Sequence, residues 1–195
     1  TNQAFSIATS MIPFLNHDDA NRALMGSNMQ KQATPCVVPE APLVATGIEE
    51  VAIRDTGRVI FSPVSGAVSY VDGKEIRVKD DKSKEHKFPL VNFSMTNGFT
   101  AFHQRPSVEL GDKVKKGTVL ADTSSSAGGQ MSVGQNALVA FMSWSGANYE
   151  DAIIISERLV EEAKFTTVHI EDFECVVRDT KLGPETTTHD IPNVG

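Results

Sequence analysis

At 195 residues with 40% hydrophobic composition, the chain can bury a real core, as one large domain or two small ones. Its formal net charge of −7 argues against a self-sufficient nucleic-acid binder, which needs a basic stripe to neutralise phosphate. Two distant cysteines, Cys36 and Cys175, exclude a disulfide framework or a zinc site and fit a reducing setting, and no apolar run approaches the roughly 18 residues of a membrane-spanning helix.

From the N-terminus, "IPFLNHDDANRALMGSNMQKQ" predicts a helix with Asn16 or Asp18 as N-cap, Asp18 and Asp19 suiting its positive start, and an end near Gln32. Pro35, Pro39 and Pro42 forbid its continuation, so "ATPCVVPEAPLVATG" reads as an extended connection. From Val44 to Asp122 short apolar runs alternate with turns. Asp72-Gly73, bracketed by Val68 and Tyr70 and by Ile76 and Val78, predicts a hairpin. A more polar hairpin is expected around "DDKSKEHKFPL", then two short β stretches around Gly111 and Gly117, giving a small β-barrel or sandwich. "TSSSAGGQ" (123–130) reads as a flexible polar loop, its serines a linker. "ALVAFMSW" and "AIIIS" are buried-strand candidates, and Ser156 is placed to cap a short helix, "ERLVEEAK". "FTTVHIEDFECVV" resumes alternation through Val168 and Ile170, with a bulge expected near Asp172. The tail, "RDTKLGPETTTHDIPNVG", reads as irregular.

Two constellations carry candidate chemistry. On the first helix Arg22, Met25, Met29 and Gln32 share one face, with Asn21 and Asn28 at its edge and Ala20, Ala23 and Leu24 opposite. Arg22 either pairs with Asp18 and Asp19 on a solvated surface or reaches a polyphosphate with its planar fork. In "SGANYEDAII" Glu150 and Asp151 lie side by side. In a strand they point to opposite faces; in a turn just before one, they either stay solvated or help hold a magnesium that keeps waters and substrate phosphates as its other ligands. The five histidines show no metal-ligand spacing, and no nucleophile elbow or phosphate-cradling glycine loop is present. "SPVSGAVSYVDGKEI" with "LGDKVKKGTVLAD" resembles the biotinyl/lipoyl carrier fold, which makes Lys74 an alternative attachment site, although the residues that flank a carrier lysine are missing.

Taken together, "IPFLNHDDANRALMGSNMQKQATP", "LADTSSSAGGQMSVGQNALVAFMSWSGANYEDAIIISERLV" and "RDTKLGPETTTHDIPNVG" resemble the β subunit of the bacterial multisubunit DNA-directed RNA polymerases, in order and spacing, over essentially the whole chain. With Thr1 in place of Met and no cap at "DIPNVG", the chain is expected to be an internal segment that is inactive alone. The resemblance implies DNA-templated RNA synthesis from nucleoside triphosphates by two-metal nucleotidyl transfer. It implies that Arg22 contacts the triphosphate, that Glu150 and Asp151 face the second Mg2+, and that Asn28 and Gln32 lie near the RNA 3′ end. The main Mg2+ site belongs to the β′ subunit, whose aspartate triad is absent here; α, ω and a sigma factor are the other implied partners, in a cytoplasmic, nucleoid-associated complex. Ser143, Ala147 and Tyr149 depart from the family's Pro, Tyr and Phe but leave both acids in place.

The expected architecture is mixed α+β, mainly β. Residues 1–43 would hold the active-centre helix and connector, residues 44–122 a barrel-sandwich-hybrid-like β region, and residues 123–195 part of a β-barrel core with a short helix.

Overall fold

The computed structural model describes residues 4–191 and residue 193. Thr1, and Pro192, Val194 and Gly195 of the tail, lie outside the described residues.

The chain opens with α1 (Ile7–Ser10), capped by Ser6, and a 3-10 turn over Leu15–His17. Asp18 is extended after that turn, so the N-cap of α2 (Ala20–Lys31) is Asp19, one residue past the expected position; its carboxylate accepts the N–H of Asn21 at 3.2 Å. The helix ends at Gln32 as expected. Its packed face is small and polar rather than aliphatic: Ser27 is buried, Ala23, Gly26 and Gln30 are half-buried, and Leu24 is exposed.

Residues 33–46 form neither helix nor strand and bend at 37–38 and 43–44, a connection that three prolines keep from continuing α2. They lead into α3 (Ile48–Asp55), a helix where only short β stretches were expected. Its signal is local. Glu49 Oε1 accepts the Thr46 N–H at 3.0 Å and Oε2 the Gly47 N–H at 2.7 Å, a side chain folding back over its own helix start, with Gly47 at φ 91°. Burial alone would raise the Glu49 carboxyl, but these N–H groups outweigh it and hold the group below its ordinary value.

The β region comprises β1 (Ile60–Phe61), β2 (Gly66–Val71), β3 (Glu75–Asp80), β4 (Glu85–Pro89), β5 (Ser94–Met95), β6 (Ala101–Phe102), β7 (Gln104–Pro106), β8 (Lys113–Val114) and β9 (Val119–Thr123). Both expected hairpins form, β2–β3 around Asp72-Gly73 and β3–β4 around Asp81 to Lys84, and β8 and β9 follow Gly111 and Gly117. A bulge at Ser69 lets Val68 pair with Val78 but Tyr70 with Arg77, so Val68 turns inward while Tyr70 is exposed. Two larger antiparallel sheets result, in the orders β4-β3-β2-β8 and β1-β9-β7, and β5 pairs with β6 alone. Val68, Ile76, Val78 and Val114 of the first share one buried cluster with Leu120 and Ala121 of the second. Neither sheet closes into a barrel.

The expected linker at 124–126 is instead a tight hairpin. β10 (Ser126–Ala127) and β11 (Gln130–Met131) flank Gly128 and Gly129, both in the left-handed region, and Ser126 is fully buried. Polar residues are ordered here because Asp122 gathers their donors, as described below.

Beyond Ser132 the fold departs further from expectation. "ALVAFMSW" and "AIIIS" form no strand; Leu138 is 104% and Phe141 98% exposed, since these runs meet no sheet edge among the described residues. Ser156 stands at the N-cap of α4 (Glu157–Glu161) but its side chain makes no capping bond. The expected strand through Val168 and Ile170 reduces to one bridge, Thr100 with His169, and without a ladder no bulge arises at Asp172. The tail is more ordered than its sequence implies: β12 (Asp179–Thr180) and β13 (Gly183–Pro184) form a hairpin closed by Arg178 and Glu185.

Candidate functional site

The candidate residues fall on two exposed elements. On α2, Arg22 is exposed and donates from Nη1 to Met25 Sδ at 3.6 Å. The surface-pairing alternative is not realised: no carboxylate lies within ion-pair distance of Arg22 among the described residues, and Asp19 is engaged as the cap. Asn28 accepts from Lys31 Nζ at 3.4 Å, one face of the helix onward, and Gln32 closes the C-terminus. Met25 and Met29 are exposed beside them, so the face combines a free guanidinium, amides and thioethers.

Glu150 and Asp151 lie in a turn, Tyr149 to Ala152, closed by the Ala152 N–H donating to Tyr149 O at 3.3 Å. No strand follows it. Asn148 shapes the approach: its side-chain oxygen accepts the Trp144 N–H at 2.9 Å, and its side-chain nitrogen donates to Met142 O at 2.6 Å. Glu150 has φ 57°, a left-handed conformation that costs a non-glycine residue about 1–2 kcal/mol.

The two adjacent carboxylates are hard oxygen donors, and no group of three His, Cys, Asp or Glu side chains gathers around a cation position among the described residues. That donor set fits a magnesium ion completed by water and phosphate oxygens, and does not fit a cage built by this chain alone. No hydrogen bond or ion pair joins Arg22, Asn28 or Gln32 to Glu150 or Asp151 among the described residues.

A cavity of about 290 Å³ is lined by Gln30 of α2, by Glu40 and Glu49, and by 131–136; neither Arg22, Asn28 and Gln32 nor Glu150 and Asp151 line it. Glu40 bolts this region together. Its backbone oxygen accepts from Ser132 Oγ, its carboxylate takes the Asn136 N–H at 3.1 Å, and it pairs with Lys164. The Lys164 ammonium, then the Asn136 N–H, hold the Glu40 carboxyl below its ordinary value. Gln135 donates to Val38 O at 2.7 Å and accepts the Phe165 N–H at 3.1 Å; Asn136 donates to Ala41 O at 2.9 Å. These amides were passed over in the sequence because each works through main-chain partners dozens of residues away.

A second cavity, about 220 Å³, lies between the connector and β6–β7. His103 stacks on Phe93 at 4.3 Å there, with its Nδ1 buried and unpartnered; burial, then the Arg105 charge, lowers its pKa, while burial raises that of Cys36.

Asp122 was also missed. It is 4% exposed and accepts four bonds, from Ser107 Oγ at 3.0 Å, Ser126 Oγ at 2.8 Å, Gly128 N at 2.9 Å and Gly129 N at 3.0 Å. Its signal was an Asp at a strand end followed by a serine and glycine cluster. Lys74, the alternative attachment site, sits in the β2–β3 turn with its N–H donated to Asp72 at 2.7 Å.

The family described as RNA polymerase Rpb2, domain 6, matches residues 61–195. The chain belongs to that RNA polymerase family. It is 56% identical over 193 residues to the DNA-directed RNA polymerase subunit beta of Gloeobacter violaceus, covering 99% of this chain and 17% of that one. The subunit beta of Thermosynechococcus vestitus is 56% identical over 98% of this chain, and that of Synechococcus elongatus 55% identical over 99%. The chain spans less than a fifth of the length of these relatives, at 17–18%. The resemblance drawn from "HDDANRALMG" and "RDTKLGPE" is thus borne out, and the carrier reading of Lys74 finds no support among the matched proteins. No helix among the described residues is long and apolar enough to cross a membrane.

Proposed function

We propose that this segment works within a DNA-directed RNA polymerase, where it contributes to nucleotidyl transfer from nucleoside triphosphates. The observation that carries this reading is the 56% identity to a polymerase β subunit across 99% of the chain, α2 and the acidic turn included. Its activity requires the assembled enzyme, with β′, α, ω and a sigma factor as partners on DNA and RNA, in the cytoplasm at the nucleoid.

Arg22 is the triphosphate contact. An exposed guanidinium without a competing carboxylate is free to lay its fork on phosphate oxygens. Glu150 and Asp151 would help hold a second Mg2+ that accompanies the nucleotide, the main ion belonging to β′. A bound magnesium neutralises charge on the transferring phosphate. The chain's own part is positioning: α2 presents Arg22, the Asn148-braced turn presents the acids, and the Glu40 bolt ties the connector after α2 to the stretch before that turn. Asn28 and Gln32 continue the α2 surface toward the RNA 3′ end. The same reading divides the chain at residues 43 and 122 and takes the two-sheet core as a barrel-sandwich hybrid.

Steady-state kinetics of the assembled enzyme tests this. Arg22→Ala should raise KM for nucleotides about tenfold or more, the loss expected for a charge-assisted bond of roughly 1.5–3 kcal/mol. Arg22→Lys should recover part of it, keeping the charge without the fork. Unchanged nucleotide kinetics in Arg22→Ala would reject the assignment.

A further inference from the structure

The charge of −7 is unevenly spread: residues 66–118 hold ten Lys and Arg against seven Asp and Glu, a net of +3. The register of the four-stranded sheet collects these cations. With Val68, Ile76, Val78 and Val114 turned into the core, the alternating residues Ala67, Arg77, Lys79, Lys87 and Lys113 face outward. Ala67 pairs with Lys79 on one side and Lys113 on the other, which sets those lysines about 10 Å apart, two strand spacings. Because β8 runs antiparallel to β2, Lys115 and Lys116 emerge at the same end of the sheet as Lys82 and Lys84 in the β3–β4 turn.

Five of the seven acids of this region, Asp72, Glu75, Asp80, Glu85 and Asp112, are already engaged, while the exposed Asp81 and Glu109 carboxylates have no side-chain partner among the described residues. Asp80 accepts the N–H groups of Lys82 and Lys84 at 2.9 Å each and holds His86 at 3.2 Å, while Glu75 and Glu85 flank Arg77. Lys79, Lys82, Lys84, Lys113, Lys115 and Lys116 are all exposed, and none has an ion-pair partner among the described residues.

We propose that this end of the sheet docks the phosphate backbone of a nucleic acid without regard to sequence. Six exposed ammonium groups, Lys79 and Lys113 on strands and the other four in the adjoining turns, offer counter-charge to a row of phosphates without a fork to read base edges. A protein partner fits worse: interfaces are depleted in lysine and centre on apolar or aromatic anchors. The outward face offers Ala67 and Tyr70, the latter stacked under Arg77 at 4.9 Å. The basic stripe that the overall charge argued against is built by folding.

The test uses the assembled polymerase carrying this segment. Binding of a fluorescein-labelled duplex without promoter sequence is measured by anisotropy across a salt series. Combined Lys79→Gln, Lys113→Gln and Lys116→Gln should flatten the slope of log affinity on log salt by about 0.9 per lost contact, or roughly 2.7 units, while the matching arginine substitutions keep it. An unchanged slope overturns the proposal. Independently of any variant, acetylation of the native enzyme read by mass spectrometry should show these six lysines reactive alone and protected by DNA. Lysines already unreactive without DNA, or shielded by polyglutamate and not by DNA, would put a protein there and overturn it. Nucleotide addition on a preformed template–primer scaffold should keep its rate in the glutamine variant, so this outcome is separate from that of Arg22.

Discussion

Replacing Asp122 with alanine should open the β10–β11 hairpin while leaving the rest of the β region closed. The carboxylate is the shared acceptor for two backbone N–H groups and two hydroxyls, and Gly129 N is buried with no other partner. Hydrogen bonds to a charged acceptor contribute about 1.5–3 kcal/mol each, and a stranded buried donor costs about 1–3 kcal/mol. Water entering the space left by the side chain, and the bond from Thr123 N to Ser126 Oγ that survives, reduce the total. A net of about 3 kcal/mol is a fair expectation, equivalent to a rise of roughly a hundredfold in local opening. The assay is amide hydrogen exchange by mass spectrometry on the assembled enzyme, following the peptide that spans 119–131. Asp122→Asn should fall between, since it keeps one acceptor oxygen but turns an amide donor toward one backbone N–H and one hydroxyl. Exchange within threefold of the parent in Asp122→Ala would refute the view that this carboxylate organises the serine and glycine cluster.

Gly129→Ala should damage the same hairpin from the other side: an added Cβ lies 2.6 Å from Val119 Cγ2, and φ is 75°. A combined cost of about 2–4 kcal/mol follows from left-handed strain and overpacking, read as faster exchange across Ser126 to Met131. Neutralising both acids, Glu150→Gln with Asp151→Asn, should raise the magnesium concentration needed for half-maximal nucleotide addition; an unaltered magnesium curve would leave the pair a structural role only. Glu40 has a folded pKa held below its ordinary 4.5, so its contribution is whole above that value and is lost as pH falls through the lowered one. Protection of the Asn136 amide should therefore decline only in acid below about pH 4.5, and Glu40→Gln should abolish that pH dependence.

The sequence was most legible where the physics is local. Three prolines keep the connector from continuing α2, Asp72-Gly73 between apolar pairs dictates a hairpin, and an aspartate at the start of "DANRALMG" caps α2 within one residue of its expected position. α3 was equally local, signalled both by its amphipathic spacing and by a Thr46-to-Glu49 cap, and was passed over. The failures share another cause. "ALVAFMSW" and "AIIIS" have strand composition, yet a strand exists only against a partner edge, and none is present among the described residues.

The candidate site divides the same way. That Arg22 shares a helix face with Gln32 follows from spacing alone, whereas the sequence left Glu150 and Asp151 open between a strand and a turn, and the structure puts them in the turn. The Asp122 knot, the Glu40 bolt across 124 residues to Lys164, and the gathering of six lysines at one end of a sheet in an acidic chain were decided by tertiary structure. Propensity and capping act over a few residues and can be read along the chain. Hydrogen bonds and charge fields act through space, and only the folded register determines which distant groups they join.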